Sequence, residues 1–537
     1  MTTASSTGRH AAVPAAAAPP APLSEGRLRL LLVVMCGALA LVIAANSSLN
    51  VALPDIARDL GASQTQLTWV VNGYALLFAA LLLPAGIAAD RFGRRPAMVG
   101  GLLVFGLSSA VSAFVDEPGT LIALRVVAGI GATLVMPATL SVLTDAYPPE
   151  RRAYAVGIWA GVSGAGAILG LVAGGVLLRW FWWGSVLAVS GVASVLLAVV
   201  CALAVPAYRN PSLSLDPLGS VSAVLALGAL VYGIIEGPER GWTDPLTVAA
   251  FAVAVLALAA FVLVELRAAD PMLDVRLFRH RGLSVGSVMI VLQFAAALGL
   301  FILIPQYLQS VRGDSALESA LRLLPLALGI GPGSQLAPKL SARFGDRLVV
   351  AAGMAVAGAG YLLLGSLPQD GAYWPFAVAL AVFGAGFGLA TTPATTLILQ
   401  GLPEDRRTLA SAVNDTAREV GGAVGIAVLA TVLNAVYRDR AADFAAGLPP
   451  EAAELGKEGV ATAVAAADRL GPAGTALADS ARAGFYDGYQ VSILAGAAIL
   501  LAGAVICALF APGRSPGSTA GQTPVAVEPP PGAHLRS

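Results

Sequence analysis

Long apolar stretches broken by short charged clusters set the pattern of this chain. Cutting it at every Asp, Glu, Lys and Arg leaves thirteen uncharged apolar runs of at least 18 residues and a fourteenth of 16, Leu323 to Pro338, bordered by Arg322. A helix of about 20 apolar residues crosses the hydrocarbon of a bilayer. The pattern predicts an all-α polytopic membrane protein with fourteen spans. They fall at 29–53, 66–88, 97–115, 120–143, 154–178, 183–206, 217–236, 245–265, 283–306, 318–338, 347–367, 374–399, 409–434 and 488–511. The first run follows Arg27 and Arg29 in the manner of a signal peptide. Its 25 uncharged residues are longer than a signal core, and it reads as a retained helix.

An even number of spans puts both termini on one side. Lys and Arg divide 20 to 9 between that side and the other, while acidic residues divide 12 to 18, so the positive-inside bias places both termini in the cytoplasm of a cell membrane. A repeat is visible in the turns on the terminus side. Arg91-Phe92-Gly93-Arg94-Arg95 follows span 2, and Arg343-Phe344-Gly345-Asp346-Arg347 follows span 10. The offset of eight spans fits two six-helix halves separated by an inserted pair, and transporters are built from such halves with a site between them. The expected organisation is a disordered cytoplasmic stretch (1–28), a six-helix bundle (29–208), an inserted helix pair (209–282), a second bundle (283–511) with an outer loop at 437–487, and a disordered cytoplasmic tail (512–537). The Ala-rich outer loop reads equally as a small amphipathic hairpin or a floppy acidic segment.

Composition agrees with the pattern. The chain is 57% hydrophobic and 12% charged, about half the charged share of a soluble protein, and its net charge is zero. That excludes a soluble enzyme and a nucleic-acid binder with a basic surface. Cys36, Cys201 and Cys507 all fall inside spans and read as apolar fillers, and His10, His280 and His534 all fall outside, so no histidine relay crosses the membrane. No His-Glu-x-x-His, Walker loop or metal-ligand cluster suggests enzyme chemistry, and neither a metal nor a cofactor is expected.

Intramembrane charge is the most informative feature, because a charge in hydrocarbon is costly and normally faces a cavity or a partner. Arg125, Arg322, Asp415, Arg418 and Glu419 qualify. Asp415 and Glu419, four residues apart, share a helix face, with Glu419 near mid-membrane. Loss of water disfavours the ionised form of a carboxyl group, which brings proton exchange within reach of neutral pH. The plainer possibility is that Arg418 pairs with Asp415 as an inert cluster. Arg125 either serves a site or snorkels to the interface. Polar and aromatic side chains that could line a cavity are Asn46, Asn50, Trp69, Asn72, Tyr74, Gln293, Gln306 and Asn414. The plainer reading of Trp69 and Tyr74 is interfacial anchoring. Glu236, ending span 7, reads as a solvated charge. In span 5, Gly161, Gly164, Gly166, Gly170, Gly174 and Gly175 form a small-residue face suited to close helix packing.

The segment Gly86-Ile-Ala-Ala-Asp90-Arg91-Phe92-Gly93-Arg94-Arg95 resembles the loop after helix 2 in the major facilitator superfamily. Further segments resemble the superfamily's fourteen-helix drug:proton antiporter branch. These are Asn50-Val-Ala-Leu-Pro54, Trp69-Val-Val-Asn72-Gly73-Tyr74, Arg125-Val-Val-Ala128-Gly129-Ile-Gly131, Pro271-Met-Leu-Asp-Val-Arg-Leu-Phe278, and Ser411-Ala-Val-Asn414-Asp415-Thr-Ala-Arg418-Glu419-Val-Gly421-Gly422. The resemblance implies a 6 + 2 + 6 fold and secondary export of small amphipathic molecules in exchange for protons. In it, Gly86, Asp90, Arg91, Gly93 and Arg94 hold one conformation of the rocking halves. Gly170 and Gly174 belong to a pliable contact between halves, with Leu171 where the family has proline. Arg125 assists proton transfer, and Asp415 and Glu419 match acids carried in that helix. Where drug antiporters usually carry Asp in helix 1 this chain has Ala45 and Asn46, and where relatives exporting dications carry Asp in helix 2 it has Asn72. The first half thus contributes no intramembrane acid, which disfavours dicationic substrates. The expected partners are a small-molecule substrate, protons and the lipid bilayer, with no nucleic acid, and the working unit is a monomer. The competing possibility is a membrane scaffold, sensor or lipid-handling protein without proton-coupled export.

Overall fold

The computed structural model describes residues 23–62, 64–209, 216–268, 271–402, 407–445, 459, 460, 463, 464, 467 and 474–512. The expectations for the two chain ends and for most of the stretch after residue 445 lie outside the described residues. The helices, in chain order, are α1 (Glu25–Leu60), α2 (Gln64–Phe92), α3 (Arg94–Ser112), α4 (Pro118–Ala146), α5 (Pro149–Trp180), α6 (Gly184–Ala204), α7 (Pro217–Arg240), α8 (Pro245–Arg267), α9 (Arg281–Gln306), α10 (Ala316–Arg322), α11 (Leu324–Phe344), α12 (Asp346–Gly365), α13 (Tyr373–Gln400), α14 (Arg407–Ala445) and α15 (Thr475–Phe510). No strand occurs among the described residues. All but the short α10 are long enough to cross a bilayer, which gives fourteen spans. Thirteen of them are also apolar enough by composition. The remaining one, α11, is diluted by Pro332, Ser334, Gln335, Pro338 and Lys339.

Local chemistry sets the helix ends. Asp216 and Asp244 cap α7 and α8 by accepting backbone N–H groups, each followed by proline in the first turn, where its missing N–H is not needed. The two repeat turns are built alike: Gly93 at φ 117° and Gly345 at φ 86° reverse the chain between α2 and α3 and between α11 and α12, a backbone region that side chains other than glycine rarely enter. Ser284, in the sequence Gly282-Leu-Ser-Val-Gly286 at the start of α9, donates its hydroxyl to the Phe278 and His280 carbonyls; no strand precedes it, so it stabilises the turn into α9.

Two boundaries and one side chain depart from the apolar pattern. The expected span 318–338 is divided: a Ser315–Glu318 capping box starts α10, the chain breaks at Leu323, and α11 restarts with Pro325 in its first turn. The membrane helix is therefore shifted toward the second repeat turn. The outer loop expected at 437–487 is narrower, because α14 runs on to Ala445 and α15 begins at Thr475. Glu236 is not solvated. It is 3% exposed and pairs with Arg240 one turn later.

Packing gathers the first six helices around one apolar core, with Met98, Phe105, Leu140 and Trp159 at its centre. A second core, rich in Met289, Leu326, Met354, Tyr361 and Phe383, joins α9 and α11 to α15. Between them, α14 lies against α2 and α4, and α5 lies against α11 and α13, while α7 rests on α8, α2 and α14. Large apolar residues such as Leu196, Leu203, Leu256, Leu328 and Trp374 point outward, as a lipid-facing surface requires.

Helices approach most closely where glycine removes the side chain. A Cβ on Gly425 would lie 1.9 Å from the Ala295 carbonyl oxygen, whereas one on Gly100 would meet nothing within 4 Å. Gly425→Ala is therefore expected to force α14 off α9 and lower stability by about 1–3 kcal/mol. Gly100→Ala should leave stability nearly unchanged, with thermal unfolding of the two purified variants as the comparison.

Candidate functional site

The acidic face of α14 is built on an arginine held by two rings. The Arg418 guanidinium lies over Phe294 of α9 at 4.5 Å and over Trp159 of α5 at 5.1 Å, and it donates to Asp415 Oδ1 at 3.3 Å. Trp159 is itself fixed by donating its indole N–H to Thr139 Oγ1 at 2.9 Å. Asn414 donates to the same carboxylate oxygen at 3.4 Å and accepts from Thr395 at 3.1 Å, while Asp415 Oδ2 has no hydrogen-bond partner among the described residues. The cation thus has a carboxylate and two aromatic faces in place of water. Glu419, one turn further on, is half-buried and makes no direct ion pair among the described residues.

Facing it from the first bundle is a second buried cation. Arg125 on α4 is 1% exposed; it donates to Asn46 Oδ1 of α1 at 2.7 Å and to the Val70 carbonyl of α2 at 3.2 Å, and lies over the Tyr74 ring at 4.6 Å. Tyr74 is close enough to both Arg125 and Glu419 to interact electrostatically. Depth agrees: Glu419 is twelve residues from the start of α14, about 18 Å, and Arg125 is seven from the far end of α4, about 10 Å. In hydrocarbon about 30 Å thick those two positions nearly coincide.

The structure therefore brings together Arg125, Asn46, Tyr74 and Glu419, with Asn414, Asp415 and Arg418 one turn away. Gln293 is buried and accepts from Thr391 Oγ1 at 2.7 Å, next to the Phe294 that covers Arg418. Asn72 is half-buried beside Gly73, which packs on Val126 and Ile122 of α4. Asn50 is exposed, one turn from Asn46 on the same face of α1. Trp69 is half-buried against Tyr232 of α7 at 6.0 Å. Gln306 is exposed at the end of α9, thirteen residues and about 20 Å from Gln293, and stands apart from the cluster. Trp159 and Phe294 hold Arg418, and periodicity had given no sign of Phe294's part.

At the terminus side the loop residues form a closed latch. Asp90 accepts from Arg94 at 2.9 Å and from the backbone N–H of Thr408, at the start of α14, at 3.1 Å. Arg94 also pairs with Asp145 of α4 and lies over the Tyr208 ring at 4.2 Å. Thr408 donates to Ser141 Oγ at 2.9 Å, and Gly86 is bare because a Cβ would come within 2.8 Å of Ala412. Asp90 thus joins its own bundle to the positive end of α14. Arg91 lies over Phe92 at 5.8 Å. The glycines of α5 serve two faces instead of one. Gly166, Gly170 and Gly174 take up Ile43, Ala44 and Ser48 of α1 within the first bundle, and Gly157, Gly161 and Gly164 meet Ser334, Gly331 and Ile330 of α11. A Cβ on Gly170 or Gly174 would therefore meet α1 of its own bundle first, not the other half.

At the far side Asp314 pairs with Arg322 at 2.9 Å, and burial pushes its carboxyl above the usual carboxylate range against the pull of Arg322. This pair fixes α10, whose Leu317 lies against Gly175 at the far end of α5.

Two bundles meeting along α2, α4 and α14 and along α5, α11 and α13, with charge sequestered between them, are an arrangement for alternating access. The sequence profile of the Major Facilitator Superfamily matches residues 35–426. The chain belongs to the major facilitator superfamily. As a member it is a multi-pass membrane transporter and not an enzyme. This facilitator is 36% identical to the puromycin resistance protein pur8 of Streptomyces alboniger, over 75% of this chain and 81% of that protein. It is 33% identical to the multidrug efflux pump LfrA of Mycolicibacterium smegmatis, covering 86% and 92%. It is 32% identical to the methyl viologen resistance protein SmvA of Salmonella typhimurium, covering 84% and 92%. The crystallised proton:xylose symporter XylE shares its fold at a TM-score of 0.60 with 13% identity, over 91% of this facilitator and 97% of that chain.

The latch yields a direct test. Ala412 is fully buried against Gly86, and all three native cysteines are buried, so Ala412→Cys in the facilitator should resist a maleimide applied from the terminus side. Adding Asp90→Asn removes the charge that holds Arg94 and the start of α14, and labelling is expected to accelerate about tenfold, the scale of one charged hydrogen bond.

Proposed function

We propose that the protein exports small amphipathic organic molecules from the cytoplasm across the cell membrane in exchange for protons, working as a monomer with both termini cytoplasmic. Bundles 29–208 and 283–511 rock about the crevice between them, and the pair 209–282 is carried alongside. The observation that carries this reading is Glu419: half-buried at mid-depth, without an ion-pair partner among the described residues, on the helix that crosses the interface. A carboxyl group placed there takes up a proton when the crevice opens to the acidic side and releases it when the crevice opens to the other. The neighbouring Asp415–Arg418 pair, clamped between Phe294 and Trp159, holds the face that presents it. Puromycin resistance and multidrug efflux among the relatives support organic export as the direction and cargo. The excess of Lys and Arg on the terminus side supports the orientation.

Purified protein in liposomes with an imposed pH gradient tests the reading, with puromycin and amphipathic dyes as probes. Glu419→Gln is expected to lower gradient-driven accumulation at least about tenfold while leaving downhill exchange in place. Asp415→Asn leaves Arg418 buried without its carboxylate, and is expected to lower thermal stability by about 3 kcal/mol as well as transport. Undiminished accumulation by both variants would sink the assignment of the coupling site.

A further inference from the structure

Arg125 is a buried cation to which the described residues offer no carboxylate. The other two deeply buried arginines each have at least one: Arg94 has Asp90 and Asp145, and Arg418 has Asp415. Arg125 has an amide oxygen, a backbone carbonyl and an aromatic face, all neutral, and its Nη1 has no hydrogen-bond partner although it is sealed from solvent. Uncompensated charge in a low-dielectric interior is unfavourable, and folds normally match it. Among its contacts the position that could have supplied an acid is Asn46, an amide in place of a carboxylate. At nearly the same depth, and like Arg125 close enough to Tyr74 to interact with it, stands Glu419, a carboxyl group with no direct ion pair among the described residues.

We infer that Arg125 is the subsite for an acidic group of the transported molecule, and that the preferred substrates are zwitterionic amphipaths whose acid pairs with Arg125 while their base faces Glu419. The guanidinium fork offers two parallel donors of the kind a carboxylate accepts, with Nη1 free and Nη2 shared with Asn46. The half-buried amide Asn46, already on Arg125, can follow the acid with a further donor. The assignment rests on the exchange reading above in one respect. A proton on Glu419 competes with the basic end of the substrate, so loading and protonation exclude each other while Arg125 keeps its hold on the acid. A dication gains nothing at Arg125 and is repelled by it.

The test uses the full-length protein and two dyes differing in one group: rhodamine B, a zwitterion, and its ethyl ester, which keeps the cation and loses the carboxylate. Fluorescence-polarisation titration in detergent is expected to give wild type a Kd about tenfold lower for rhodamine B, the scale of one charge-assisted contact. Arg125→Gln should bring the two Kd values to within about threefold of each other. Arg125→Lys, keeping the charge without the fork, should fall between, and decides the matter if Arg125→Gln does not fold. Equal affinity of wild type for both dyes, no binding of either below about 100 μM, or an equal loss of both in a monodisperse Arg125→Gln overturns the assignment. The titration needs no pH gradient, so the two proposals fail separately. Charge-selective binding without gradient-driven transport would remove proton exchange and leave the acid subsite. Gradient-driven transport of both dyes alike would remove the subsite and leave exchange.

Discussion

A charge inside hydrocarbon must be matched, and how this chain matches its buried arginines organises the rest of the molecule. Arg94 is matched by carboxylates within its own bundle, and through Asp90 the match extends to the backbone of α14 in the other. Arg418 is matched by Asp415 and by rings from α9 and α5, so the second bundle's cation is partly wrapped by the first. Among the described residues Arg125 is matched by neutral groups alone. The first two arrangements fasten the bundles to each other, and the third leaves electrostatic work undone at the centre.

The two seams between the bundles use different materials. Along α2, α4 and α14 the contacts on the terminus side combine hydrogen bonds, Asp90 to Thr408 and Thr408 to Ser141, with the single close approach of Gly86 to Ala412. Along α5 and α11 they are bare backbone, with Gly157 and Gly161 against Ser334. Polar contacts are directional and break cleanly, whereas glycine faces can slide without losing much dispersion energy. A rocking motion would release the first seam and pivot on the second, with the capped α10 and its Asp314–Arg322 pair standing at the far end of the pivot.

Much of this was legible before any coordinates. Uncharged runs gave the fourteen spans, because hydrocarbon tolerates little else, and the paired Gly93 and Gly345 turns gave the repeat. The i, i+4 spacing of Asp415 and Glu419 put both on one face. What stayed hidden was lateral. In a soluble helix the apolar stripe marks the core, but here lipid-facing and core-facing residues are equally apolar, so the sequence held no sign that Trp159 and Phe294 would meet over one guanidinium. The same blindness merged the two glycine faces of α5 into one. Glu236 departs from the solvated charge expected at a span end because it finds Arg240 before it reaches water. The break at Leu323 was missed because the charge-free run ignores Pro325.

The position of α7 has a consequence for traffic through the membrane. Helix α7 touches both α2 and α14 while turning Leu218, Val221 and Leu225 outward, so it lies over that seam on its lipid side. A molecule dissolved in the acyl chains meets a wall there, not a side door.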